Sequence, residues 1–185
     1  MVLPLYSWCQ KPKVLIFFFF FFSFFFKKKK TSIIINIAKE LGYKPLAYIR
    51  DYIFVSQDPK DELLLGPTYA IHKLLKRTGL KMSDIGVFEM HEAFAGQVLA
   101  NQAALNSDKF AQEKLKGEKI GSIPDEKLNL WGGSLSIGHP FGATGCRLVT
   151  TAAHRLIHEN QQFALLAACA AGGQGHAMIV ERYKN

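Results

Sequence analysis

The stretch Gly132-Gly133-Ser134-Leu135-Ser136-Ile137-Gly138-His139-Pro140-Phe141-Gly142-Ala143-Thr144-Gly145 packs five glycines into fourteen residues, and a helical period follows it at once. Over residues 146–158 the apolar side chains Leu148, Val149, Ala152, Ala153, Leu156 and Ile157 fall on one stripe, which predicts an amphipathic helix. A second glycine burst, Cys169-Ala170-Ala171-Gly172-Gly173-Gln174-Gly175, joins two apolar runs of strand length, 163–168 and 176–180. Loop, helix, strand, turn and strand in this order read as part of an α/β fold. Glycine at this density lets a ligand approach the main chain closely. Each burst also holds one side chain able to move protons, His139 before Pro140 and Cys169 at the end of a buried strand.

Toward the N-terminus the same alternation continues. Residues 47–55 (AYIRDYIFV) are rich in aromatic and β-branched side chains and predict a strand, closed by the polar stretch 56–61. Gly66 and Pro67 open a helix that runs to Thr78, where Gly79 suits a left-handed cap. Residues 87–90 predict a short strand and 93–105 a helix, so His91 and Glu92 stand at the join. Strand-to-helix joins in α/β folds lie at the mouth of the sheet, where ligands bind. The domain is expected to span 33–185.

Residues 1–32 have a different composition. They hold six of the chain's 23 basic residues, none of its 15 acidic ones and nine of its 15 phenylalanines, so the rest of the chain is close to neutral. The formal charge of +8 is therefore not a nucleic-acid footprint, which needs basic residues clustered on a folded face. The apolar run 14–26 falls short of the roughly 20 residues of a membrane-spanning helix. Lys27 to Lys30 stand where a signal peptide would carry small residues, and there is no Arg for a mitochondrial presequence. The head reads as an unstructured low-complexity segment, with a membrane-surface anchor of Phe and Lys as the second reading. Cys9, Cys146 and Cys169 are too few for a disulfide scaffold and favour a reducing compartment.

Several motif readings fail on spacing. Neither glycine burst completes a phosphate loop or a dinucleotide fingerprint. His91-Glu92 begins a zinc-protease motif, but Ala95 stands where its second His is required. His154 and His158 share a helix face with no third ligand and are read as surface residues. Cys146 is read as core packing, Glu92 as a carboxylate favoured by a helix N-terminus, and His72 and His176 as structural. Taken singly, Cys169 is a small buried hydrophobe or a functional thiol, and His139 is a loop residue or a base.

Taken together, His91-Glu92-Ala93-Phe94-Ala95, Gly132-Gly133 with Gly138-His139-Pro140-x-Gly142-x-x-Gly145, and Cys169-x-x-Gly172-Gly173-x-Gly175 resemble the three C-terminal catalytic loops of the thiolases. The likeness runs from about Ile37 to the C-terminus, through Tyr43-Lys44-Pro45 and Ser56-Gln57-Asp58-Pro59-Lys60-Asp61. The His form of the first loop, where most thiolases carry Asn, is similar to the mitochondrial long-chain branch. The resemblance implies the C-terminal half of a thiolase-like fold, a mixed sheet with helices on both faces. It implies acyl transfer between coenzyme A and a cysteine in fatty acid β-oxidation. Cys169 would then be the acid/base on carbon, His139 the activator of the nucleophile, and His91 the residue holding a water at the thioester oxygen. The backbone at Ala171 and Gly172 would serve a second oxyanion site, with Ala171, where many thiolases have Gly, narrowing the backbone angles. The substrates would be acyl-CoA and coenzyme A, with no separate cofactor or metal. The partners would be a second thiolase copy and the α subunit of a trifunctional enzyme, in the mitochondrion, with no nucleic acid. The family's nucleophilic cysteine belongs to an N-terminal half that this sequence does not contain, and Cys9 has neither a glycine turn nor a His beside it.

Overall fold

The computed structural model describes residues 35–184, so the expectations for the Phe/Lys head lie outside the described residues. Two units are distinguished, with the boundary after Leu46. In the first, a helix over 35–40 ends where the N–H of Tyr43 returns to the Ala38 carbonyl (2.8 Å) and Gly42 takes φ +75°. Glycine enters that left-handed conformation without the steric cost of a Cβ.

The second unit contains β1 (Ala47–Ser56), α1 (Gly66–Thr78), β2 (Val87–Met90), α2 (Ala95–Leu105), α3 (Thr144–His158), β3 (Phe163–Ala170) and β4 (Gln174–Arg182). The strand order is β1-β4-β3-β2, with β4 antiparallel to both β1 and β3, and β2 parallel to β3. Alternation along β3 divides the core. Leu165 and Ala167 pack with Ala70, Ile71, Leu74 and Leu75 of α1, whereas Ala164 and Leu166 pack with Leu148, Ala152 and Leu156 of α3. The sheet is thus mixed and covered by helices on both faces, as expected. Each fully buried aliphatic side chain contributes roughly 1.5–3 kcal/mol.

Three contacts bring the layers together. Gly66 of α1 meets Gly175 of β4 backbone to backbone, and a Cβ on either would strike the other's main chain. The N-terminus of α1 has no side-chain cap of its own. Asn101 of α2 supplies one across the fold: its Oδ1 accepts from the Thr68 N–H (3.0 Å) and hydroxyl (2.8 Å), and its amide donates to Leu64 and Gln97 carbonyls. The fully buried Arg155 of α3 spends all five N–H donors, on Glu89, the Phe88 and Lys127 carbonyls, and both carboxylate oxygens of Glu159. Burial pulls the Arg155 guanidinium down, but its bonds to Glu159 and Glu89 outweigh that pull and keep it charged.

Two boundaries differ from expectation for local reasons. Helix α2 starts at Ala95, not at 93, because the Ala93 N–H is taken by Gln97 Oε1 (3.0 Å) and Phe94 is extended. Helix α3 starts at Thr144, and Cys146 is half-buried, not in the core. At about 100° per residue it lies on the opposite side of the helix from Leu148. Its sulfur faces the Gly142 carbonyl instead (3.9 Å).

Candidate active site

Because β2 and β3 are parallel, their C-terminal ends emerge at one end of the sheet. His91 follows β2 directly, and its N–H donates to the Ala167 carbonyl (2.8 Å), extending the ladder by one residue. Cys169 is near the end of β3 and is 7% exposed. The loop preceding α3 then brings His139 against His91, with ring centroids 4.2 Å apart and planes at 40°.

The partners of His139 set its tautomer. Thr144 Oγ1 lies 2.6 Å from His139 Nδ1 and 3.3 Å from the Pro140 carbonyl. The hydroxyl has one hydrogen, and when the carbonyl takes it the oxygen accepts from Nδ1–H. Nε2 is left with a free lone pair, the form a base needs.

His91 is 4% exposed, with Nδ1 2.9 Å from Ser134 Oγ. Burial, reinforced by His139 and Arg147 and opposed by Glu92, lowers its pKa to about 4. At neutral pH it is an uncharged imidazole. Cys169 moves the other way, because burial raises the pKa of its thiol. It therefore holds its proton at neutral pH and can donate it. Among the described residues no hydrogen bond joins this thiol to either imidazole.

Glu92 ties the two histidine loops together. Its carboxylate accepts from Asn129 Nδ2 (2.6 Å) and from the Leu135 N–H (3.0 Å), and Gly133 must lack a Cβ because one would overlap that carboxylate. The expected role at a helix N-terminus is corrected in one respect. The helix served is the single turn Ser134–Ile137, not α2, since Glu92 points across to the facing loop. Asn129 completes the exposed edge of β2: its N–H donates to the Phe88 carbonyl, its Oδ1 accepts from Met90 N–H, and its Nδ2 donates to the Met90 carbonyl. It does so at φ +47°, a conformation Asn tolerates better than most residues. Asn129, Ser134 and Thr144 were not singled out from the sequence. An Asn two residues ahead of Trp-Gly-Gly, and hydroxyl residues within five positions of His139, were the available signals.

Ala171 and Gly172 are exposed in the turn between β3 and β4. Positive φ falls on Gly172 (+82°) and Gly173 (+74°) and not on Ala171, so the alanine methyl carries no strain there. The Gly173 carbonyl accepts from the Gln57 N–H (2.9 Å), which pins the turn beside the end of β1. Elsewhere His158 meets Trp131 (5.6 Å between ring centroids) and His176 stacks on Phe54 (5.5 Å). Among the described residues no group of three or more His, Cys, Asp or Glu could hold a metal ion. No described helix is long and apolar enough to cross a membrane.

Residues 43–182 match the thiolase C-terminal domain. Over 147 residues the chain is 66% identical to the mitochondrial trifunctional enzyme subunit beta of Mus musculus, covering 79% of this chain and 31% of that one. It is 63% identical to a probable 3-ketoacyl-CoA thiolase of Caenorhabditis elegans over 143 residues, 77% of this chain and 32% of the relative. The solved structure of human mitochondrial 3-ketoacyl-CoA thiolase in complex with CoA superposes with a TM-score of 0.66 at 32% identity, covering 80% of this chain and 34% of that one. The chain spans about a third of the length of these relatives. With its three glycine-rich and histidine loops gathered at one end of a mixed sheet, and its residues 43–182 matching throughout, the chain belongs to the thiolase family as a C-terminal domain.

Proposed function

We propose that this chain supplies the C-terminal half of a 3-ketoacyl-CoA thiolase site, an acetyl-CoA C-acyltransferase of fatty acid β-oxidation. The observation that carries the reading is the tilted His91–His139 ring contact, in which each Nδ1 is already engaged and each Nε2 is left for chemistry. Such a pair offers a base and a neutral hydrogen-bonding group side by side.

In this reading a cysteine from the N-terminal half of a complete thiolase attacks the 3-keto carbon while His139 Nε2 takes its proton. His91, through a water, holds the oxygen on which charge develops. The bond between C2 and C3 breaks, its electron pair passes to the acetyl-CoA enolate, and the Cys169 thiol returns a proton to that carbon. The coenzyme A thiol then takes the acyl group from the first cysteine. Amides at Ala171 and Gly172 serve the second oxyanion. CoA thioesters are the substrates with no further cofactor, a second thiolase copy and an α subunit are the partners, and the mitochondrion is the location. The domain is taken as 33–185, and residues 1–32 have no part in the chemistry.

The test is a complete thiolase in which this segment forms the C-terminal half. It should cleave a 3-ketoacyl-CoA in the presence of coenzyme A, and no turnover by a folded enzyme would refute the reading. The 185-residue chain incubated with acyl-CoA should show no adduct by intact-mass measurement, because the Cys169 thiol is buried and protonated. A stoichiometric adduct on Cys169 would reverse its assignment from acid to nucleophile.

A further inference from the structure

The Ser134 hydroxyl stands between two nitrogens, 2.9 Å from His91 Nδ1 and 2.9 Å from Arg147 Nη2. A guanidinium only donates, so Arg147 occupies one lone pair of Ser134 Oγ. Serine has a single hydrogen to give, and His91 Nδ1 is the acceptor within reach. Were Nδ1 protonated instead, the serine hydrogen would be left unspent on a side chain that is 8% exposed. Leaving a buried polar hydrogen unsatisfied is unfavourable. The guanidinium is itself held in place, since Nη1 donates to the Gly138 carbonyl (3.3 Å).

We infer that Ser134, polarised by Arg147, is a positioning residue that fixes His91 as the Nε2–H tautomer, so that His91 meets the reacting oxygen or its water as a donor. The inference rests on the functional reading above only for what the donor is used for; the tautomer itself follows from the hydrogen count. It also explains why an imidazole can stand where an amide would otherwise serve. A neutral imidazole presents a donor in one tautomer and an acceptor in the other, and only the donor form stabilises an oxyanion. Ser134 removes that ambiguity. The groups facing His91 are His139, Arg147, Glu92 and Ser134, and none of them other than Ser134 hydrogen-bonds Nδ1.

Long-range proton–nitrogen NMR on the full chain with labelled histidine reads the tautomer directly. The His91 signals are identified by their loss in His91→Asn. The expected result is a hydrogen on Nε2 in the parent chain, a mixture of tautomers in Ser134→Ala and a return to Nε2–H in Ser134→Thr. A hydrogen on Nδ1 in the parent chain overturns the inference. In a complete thiolase carrying this half, Ser134→Ala should lower kcat about tenfold with KM unchanged, less than the 10²–10³ of an outright loss of an oxyanion donor, and Ser134→Thr should restore it. A fall in kcat that Ser134→Thr fails to restore would reduce Ser134 to a packing role. The two readings fail separately: an inert His91→Ala sinks the functional reading while the NMR tautomer stands.

Discussion

The two imidazoles of the pair are held in opposite ways. His91 ends a buried strand: its backbone continues the β2–β3 ladder, its ring is 4% exposed, and two residues earlier Glu89 is paired with the buried Arg155. His139 sits on an exposed loop next to Phe141, which is 91% exposed, with Gly138 at φ +89° before it and Thr144 behind it. Burial fixes the first in position and suppresses its charge. Exposure leaves the second open, as the base proposed for this position would need to be. A hydrogen-bonding group benefits from a dry, rigid setting, whereas a base needs access.

That contrast can be broken by exchanging the consequences of mutation. Arg155→Ala should have the largest effect, a loss of about 3–5 kcal/mol in stability by urea unfolding, because Glu89 would be left charged, buried and without its partner. A loss under 1 kcal/mol would mean that the strand under His91 does not depend on this pair.

His139→Ala should leave the unfolding midpoint nearly unchanged. In a complete thiolase carrying this half it should cut turnover by on the order of 10² to 10³ fold, since it removes both the base and an oxyanion contact. A large stability loss with mild kinetics would invert the comparison.

Acidification sharpens it further. The unfolded imidazole titrates near 6.5 and the folded His91 near 4, so between these values the unfolded chain binds more protons. Stability is full above about pH 6.5 and falls as the pH drops toward 4, by up to roughly 3 kcal/mol for His91. His72 and His176, both lowered chiefly by burial, act in the same direction. Unfolding free energies across that window should flatten in His91→Asn, and an unchanged slope would remove His91 as a source.

The smallest effect is expected from His91→Asn on turnover, less than about tenfold, because an amide can also hold a water. His91→Ala should cost less in a His139→Ala background than alone, since the roles proposed for the two fall in one transition state. Full additivity of the two alanine changes would place them in separate sites.

Much of this was legible in the chain, and two of the misses, Glu92 and the cap on α1, have a common cause in contacts between residues distant in sequence. Gly66 to Gly79 reads as a capped helix because Pro67 and Gly79 act within one turn of their own positions. Residues 87–90 read as a strand for the same local reason. Glu92 was assigned to the helix that follows it because sequence proximity cannot show that the carboxylate crosses to Leu135. Cys146 was placed in the core because the stripe was counted from the wrong first residue. The cap on α1 was invisible because Asn101 lies on another helix.

What the sequence by itself determined is therefore the part governed by short range. Periodicity set the α/β alternation, the glycines set where the backbone could turn, and residue type set which side chains could carry protons. The tertiary structure alone decided which of those side chains meet and in what protonation state. The 4.2 Å contact of His91 with His139, the Ser134 and Thr144 hydroxyls that assign their tautomers, and the burial that keeps His91 neutral and Cys169 protonated all join residues distant in the chain or depend on the solvent excluded around them. Hydrogen-bond partners and desolvation are properties of neighbours in space, and the packing of α3 and its preceding loop on the end of the sheet creates those neighbours.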